Sequence, residues 1–202
     1  MKRIIGIDAD DCLIDTMRAF LDFYNQKYLT GFFVEDFRDF DLSKTFGINR
    51  LEVLEEERFF YKSHFYDKVQ RIDGAYEALE YLSEEFENVV ITARGVDVKE
   101  HLPKTISKLF DFHHFRDIYH VGGEGGINNR LQKWEVCKHL NSRLLIDDYH
   151  GHLLLAASNN IHGILMEKPW NKNVSDLPKC IYRARTWEEV LEIIEKKKEE
   201  IF

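Results

Sequence analysis

The first dozen residues constrain this chain more than any other stretch. Ile4, Ile5 and Ile7 form a short apolar run, and Asp8, Asp10 and Asp11 follow at once. Such a run suits a strand buried on both faces of a parallel sheet. The acids then stand at the carboxyl edge of that sheet, where open α/β folds place their ligands. Asp8 and Asp10 are two apart, so extended backbone sends both side chains to the same side. Carboxylates ~4 Å apart repel by roughly 4 kcal/mol at an effective dielectric of 20. Protonating one of them, or seating a cation between them, relieves the cost. Two readings follow: half of a magnesium-dependent phosphoryl-transfer site, or solvated turn residues that end a strand.

Downstream, Leu13 to Tyr28 has helical spacing of Leu13, Met17, Phe20, Leu21 and Tyr24. Residues 29–44 are irregular and rich in Phe and Asp, and Asn49 with Glu52 predicts a capping box for a helix to about Tyr61. Residues 13–70 are far longer than the usual 2–6-residue strand-to-helix connection. They are expected to form a helical cap insertion over the carboxyl edge, with residues 1–12 and 71–202 as the core domain. Regular alternation then sets in. A helix from Asp73-Gly74 through Glu85 precedes a strand at Asn88–Thr92, then a helix from about Val98 to Phe110, its start obscured by Pro103. A weaker strand spans Asp117–Val121, followed by a diglycine loop at 122–126 and a helix from about Asn129 to Leu140. Further strands are read at Arg143–Asp148, Ile161–Met166 and Ile181–Tyr182, and Thr186 with Glu189 caps a last helix. Strand and helix alternating from end to end predict an α/β fold, a doubly wound parallel sheet.

Composition narrows the function classes. The chain has 202 residues, 44% of them hydrophobic, which suits one globular domain with an insertion. A formal net charge of −8 without a basic block argues against a nucleic-acid duplex as partner. No stretch approaches the ~18 apolar residues that span a bilayer, and no signal peptide is recognisable. Cys12, Cys137 and Cys180 are odd in number and widely spaced, as expected of reduced thiols in a cytoplasmic protein. A homodimer is left open.

Three strand ends carry chemistry: Asp8 and Asp10, Thr92, and Asp147 with Asp148. Phosphoryl transfer needs a nucleophile, a cation against the phosphate oxygens, further donors, and an acid/base for the leaving group. Asp8 is the candidate nucleophile and Asp10 the candidate acid/base. Asp147, helped by Asp148, would complete a Mg2+ site with Asp8 and the backbone carbonyl of Asp10. Thr92 would donate to a phosphate oxygen, and Lys133 is the candidate cation.

The order acid-x-acid, Thr, Lys and paired acid, from Ile4 to about Asn171, resembles the haloacid dehalogenase superfamily. The resemblance implies a Rossmann-like core. With an aspartate at Asp10 it implies phosphatase or phosphotransferase chemistry, because the dehalogenases lack that residue. An insert of this length resembles a C1 cap and implies a small-molecule substrate. Asp73-Gly74-Ala75, Ile91-Thr92-Ala93-Arg94, Lys133-Trp134 and Ile164 to Asn171 are similar to the 5'(3')-deoxyribonucleotidase family, which implies a nucleoside monophosphate as the phosphate ester. Thr92, Ala93, Arg94 and Lys133 would then bind substrate. One departure stands out: that family commonly has Gly after the second acid, where this chain has Asp11.

Several residues have blander readings. The aromatics Phe20, Tyr24, Phe32, Phe33, Phe37 and Phe40 are expected mostly in the core of the insert, though they could stack on a base. Arg94 could bind substrate or form a surface salt bridge. His150 and His152 invite a zinc reading, but without cysteine partners they are expected in a loop. The diglycine stretch lacks a phosphate-cradle pattern and is expected to be a mobile loop. Cys12 is expected to pack inertly in the first helix. The expected function is a magnesium-dependent 5'-nucleotidase working through an aspartyl-phosphate. The alternatives are a phosphatase for another small ester such as a sugar phosphate, a phosphoacceptor receiver domain, and a non-catalytic phosphate-binding protein. A receiver lacks this insert and places its lysine last.

Overall fold

Arg3–Ile7 forms the first strand, β1, and its alternation divides the molecule into layers: Ile5 and Ile7 enter one apolar cluster, Ile4 another. The computed structural model describes residues 2–94, 98–121 and 131–202. Five further strands are β2 (Phe86–Thr92), β3 (Asp117–His120), β4 (Leu144–Asp147), β5 (His162–Met166) and β6 (Ile181–Ala184). They build one sheet in the order β3-β2-β1-β4-β5-β6, every pairing parallel. Chain order reverses between β1 and β4, so the crevice outside their carboxyl ends is the topological switch point.

Eight helices are described: α1 (Thr16–Tyr28), α2 (Leu42–Phe46), α3 (Arg50–Tyr61), α4 (Ala75–Glu85), α5 (His101–Leu109), α6 (Lys133–His139), α7 (His150–Ala157) and α8 (Trp187–Ile201). Leu79 and Leu82 of α4, Leu102 and Ile106 of α5, and Val190 and Ile194 of α8 cover the face of Ile5 and Ile7. Val136 of α6 and Leu153 and Ala156 of α7 cover the other. Two apolar faces sealed by helices explain why the strands read as continuous apolar runs. Gly6 lies where β1 meets the second layer. A Cβ there would come 2.8 Å from Ile91 Cδ1 and 3.1 Å from the Cys137 sulfur.

Sequence boundaries mostly hold within a few residues. The Asn49–Glu52 capping box is present, and Thr186 accepts from the Glu189 backbone as expected. Gly74 caps α4 at a φ of 78°, a left-handed conformation that glycine adopts without steric cost. Pro103 is the third residue of α5, where no intrahelical partner awaits its missing N–H. The diglycine loop and the residues preceding Leu131 in the expected helix lie outside the described residues. One correction concerns His150 and His152. They occupy the first turn of α7, a helix that the sequence pattern, apolar but not periodic, does not reveal. A second correction concerns Cys12, which sits fully buried in the turn before α1 rather than within it.

Between β1 and α4 the chain winds through α1, α2 and α3. Phe20, Phe37 and Phe60 are buried and join Ile5 and Ile7 in one continuous apolar cluster. Phe33 and Phe40 depart from the expected core placement, at 70% and 46% exposed. Phe40 instead stacks on Tyr149 of the sheet's carboxyl edge, with ring centroids 4.0 Å apart. Among the described residues no helix is long and apolar enough to cross a membrane.

Candidate active site

Asp8 leaves β1 at the switch point because the strand ends there: its backbone N–H still donates to Ile146 of β4, at 2.8 Å. Its carboxylate accepts from the Ala9 N–H at 2.8 Å, and its Oδ1 lies 2.7 Å from the Lys133 ammonium. Lys133 is the first residue of α6, and its Nζ also donates to Asp147 Oδ2 at 2.7 Å. The Lys133 side chain is 1% exposed, and its ammonium bridges the carboxyl ends of β1 and β4. Its two carboxylate partners hold it protonated against the burial that opposes its charge.

The paired acids after β4 part company. Asp147 takes the Tyr149 N–H on Oδ1, and Lys133 and His152 Nδ1 on Oδ2. Burial works against its charge, yet Lys133 and His152 hold its carboxyl down at about 2. Asp148 turns the other way. One of its carboxylate oxygens lies within 4.8 Å of a carboxylate oxygen of Asp8 and of the Cys12 sulfur, and its Oδ2 accepts from Trp170 Nε1 at 2.8 Å. Burial, then the charges of Asp147 and Asp8, push the Asp148 carboxyl well up. Burial likewise lifts Asp8 to about 6, outweighing Lys133 with the help of Asp147 and Asp10. Among the described residues, buried carboxylates outnumber the one ammonium between them, the electrostatic signature of a place for a hard divalent cation. Burial and the same carboxylates push the Cys12 thiol well above its ordinary range, so it is protonated and inert.

Asp10 points away from that cluster. Arg94 Nε donates to its Oδ2 at 2.7 Å, Arg94 Nη2 to its Oδ1 at 2.5 Å, and the Thr16 hydroxyl to Oδ1 at 2.5 Å. Burial opposes the charge, but Arg94 and Thr16 hold the Asp10 carboxyl below its usual value. Arg94 is therefore not a surface ion pair. It is 6% exposed, donates to the Tyr66 hydroxyl, and lies 4.6 Å from the Tyr61 ring centroid and 5.0 Å from that of Tyr66. Thr92 ends β2, fully buried; its Oγ1 accepts from the Arg94 N–H at 3.2 Å. Ala93 beside it is exposed, leaving open backbone next to the cluster.

Thr16, Tyr61 and Tyr66 carried no signal in the sequence and reach the site through tertiary packing, whereas His152, read there as a loop residue, contacts Asp147 from the first turn of α7. Trp170 and Asn171 were visible only as part of a motif. The fold gives their reason, since Asn171 Nδ2 donates to the carbonyls of Asp148 at 2.7 Å and Met166 at 2.8 Å. The loop after β5 is thereby pinned under the acid that Trp170 orients.

Asp11 alters the turn rather than pointing into the cluster. Its φ is 56°, the left-handed region where glycine is at ease and aspartate is tolerated through local hydrogen bonds. Its Oδ1 accepts from the Met17 N–H at 3.1 Å. Burial pushes its carboxyl up to about 7, with Lys168 only partly offsetting it. The folded chain thus keeps a proton that the unfolded chain releases, so stability falls as pH rises between the two values. Asp11→Asn keeps the acceptor and removes the titration. Its loss of stability between about pH 5 and about pH 8 should be smaller than the parent's by on the order of 1–2 kcal/mol. Urea unfolding at the two pH values measures this, and equal slopes would refute it.

Comparison with known proteins adds to this geometry. The sequence model of the family described as "5' nucleotidase, deoxy (Pyrimidine), cytosolic type C protein" matches residues 2–199. "Putative nucleotidase YqfW" of Bacillus subtilis is 28% identical over 195 residues, covering 93% of this chain and 91% of that protein. Among solved structures, the haloacid dehalogenase-like hydrolase SP0104 from Streptococcus pneumoniae superposes with a TM-score of 0.67 at 18% identity, over 96% of this chain and 98% of that one. YfnB from Bacillus subtilis, a HAD-hydrolase solved bound to magnesium, superposes with a TM-score of 0.60 at 18% identity, over 96% and 99%.

Proposed function

We propose, from the premise that this chain belongs to the cytosolic type C 5'-nucleotidase family and is a phosphatase of haloacid dehalogenase fold, that it hydrolyses nucleoside monophosphates, with deoxyribonucleotides among them. The observation that carries the reading is the convergence of Asp8, Lys133 and Asp148 at the switch point, buried and short of positive charge. In this reading residues 13–70 are a cap over that point and confine the substrate to a small molecule.

Asp8 is the nucleophile. Its oxygen attacks phosphorus, the bond to the leaving oxygen breaks, and an aspartyl-phosphate forms. Lys133 neutralises charge on both Asp8 and the incoming phosphoryl oxygens, while Asp147, itself contacted by His152, holds Lys133 in place. Thr92 is free to turn its hydroxyl hydrogen toward a phosphate oxygen. Asp10 protonates the leaving alcohol, then takes a proton from the water that attacks phosphorus, releasing phosphate and restoring the Asp8 carboxylate. As base it is ready, because Arg94 keeps it ionised; as acid it requires that ion pair to open. Asp8, Asp148 and the Asp10 carbonyl would hold a magnesium ion, and their excess of buried negative charge fits one; Asp148 takes the place expected of Asp147, whose oxygens are engaged by Lys133, Tyr149 and His152. When bound, the ion supplies charge neutralisation for the phosphoryl group. The three cysteines are free thiols, two of them buried, which supports a cytoplasmic setting.

The test is phosphate release from a panel of nucleoside 5'-monophosphates and sugar phosphates, with magnesium and with a chelator. Release should require the metal and favour the nucleotides. Magnesium should also raise the melting temperature, because it binds the folded site and not the unfolded chain. Preference for sugar phosphates would overturn the substrate assignment, and no release from any ester would overturn the enzyme.

A further inference from the structure

The insert carries a half-buried acid that no hydrogen bond or ion pair reaches among the described residues. Its neighbour Glu56 is buried and accepts from Lys27 Nζ, at 2.8 and 2.6 Å, and from the Tyr28 hydroxyl at 2.7 Å. Glu52 closes the capping box of α3, and Asp36, Asp39 and Asp41 each accept a backbone N–H. Glu57 is different. Its electrostatic neighbours are Asp10, Arg50 and Arg94, and no hydrogen bond or ion pair reaches its carboxylate among the described residues.

Its position is defined by the helix. Glu57 lies one turn before Tyr61 on α3, so the two share a face. Tyr61 backs the Arg94 guanidinium, and Arg94 grips Asp10. Val53, Glu56 and Phe60 are the buried residues of α3, and Glu57 stands at the edge of that face, between Val53 and Tyr61. Glu57 therefore borders the Asp10 side of the site, where an ester's leaving group would lie if its phosphate met Asp8. A carboxylate taken partly out of water without a donor costs free energy. Burial and the charge of Asp10 show that cost by lifting Glu57 to about 7.

We propose that Glu57 selects the leaving group by accepting a hydrogen bond from a hydroxyl or amino group on it. This rests on the phosphomonoesterase reading and deepens it.

The experiment uses the full chain with magnesium and compares kcat and KM of wild type, Glu57→Gln and Glu57→Asp. The substrates are a nucleoside 5'-monophosphate, its 2',3'-dideoxy analogue, ribose 5-phosphate and phenyl phosphate. Glu57→Gln preserves the shape, and melting temperatures confirm that each variant is folded. The ratio of kcat/KM for the nucleotide over phenyl phosphate should fall about tenfold in Glu57→Gln, with KM carrying the change, as losing a charge-assisted hydrogen bond implies. Glu57→Asp, charged but shorter, should fall between. If the penalty vanishes with the dideoxy analogue, a sugar hydroxyl is the donor; if it survives there and vanishes with ribose 5-phosphate, the base is. An equal penalty on all four substrates, or none, overturns the assignment of Glu57. Wild-type protein inactive on every ester overturns the phosphatase reading itself, and this inference with it.

Discussion

Asp8→Asn is expected to abolish phosphate release while leaving the protein folded. The amide keeps the size of the side chain and can still accept from the Ala9 N–H that now reaches Asp8 at 2.8 Å. It cannot form an acyl-phosphate, so the reaction loses its first bond-forming step. Removing a nucleophile that acts as part of a unit costs about 10⁵–10⁶-fold in kcat where this has been measured in other hydrolases. A fall of that order, measured by phosphate release with magnesium, is the expected result. The substitution also relieves a buried charge that burial has already lifted to about 6. Stability should accordingly stay level or rise, a result opposite to the usual effect of a buried substitution. Turnover within tenfold of the parent would exclude Asp8 as nucleophile.

Lys133→Met should do the reverse and damage the fold as well as the chemistry. The ammonium is the common partner of Asp8 and Asp147, 2.7 Å from each, in a site where all three groups are at most 9% exposed. Methionine fills similar space, but it leaves buried carboxylates facing one another without the cation. Breaking a buried pair by removing one partner typically costs 3–5 kcal/mol, or about 3 kcal/mol at the low end. Urea denaturation should show a loss of that size at neutral pH. The deficit should shrink at lower pH, where protonated Asp8 needs no partner. Activity should fall by at least ~10²–10³, the scale of one lost electrostatic donor. A variant as stable as the parent at neutral pH would show that Lys133 is not what holds these acids together.

How far the sequence reveals the site depends on the range of the interaction concerned. The candidates Asp8, Asp10, Thr92, Lys133 and the Asp147–Asp148 pair could be picked out because each ends, follows or opens a periodic element, and a parallel sheet sends all strand ends to one edge. The distinction between Asp147 and Asp148 was not legible. Consecutive residues leave a strand on opposite sides, and which side faces Asp8 depends on the register of β4 against β1, where Ile7 pairs with Ile146. Arg94 was legible as a motif member, but its burial was not, since its partners Asp10, Tyr61 and Tyr66 come from a turn, α3 and the residues beyond it. The helix α7 escaped for another reason: His150 to Ala157 is apolar around most of its circumference, so no polar stripe marks a period.

The sequence by itself determined the layers: apolar runs that only a doubly covered parallel sheet can bury, caps that begin the helices at Asn49 and Thr186, and acids at the strand ends. Those are local consequences of backbone geometry and periodicity. Only the tertiary structure decided that Lys133 would spend its charge on Asp8 and Asp147, that Arg94 would clasp Asp10, and that Glu57 would have no donor among the described residues. Each of those outcomes turns on a few ångströms between elements distant in the chain, and electrostatic energy in a buried site is set by just such distances.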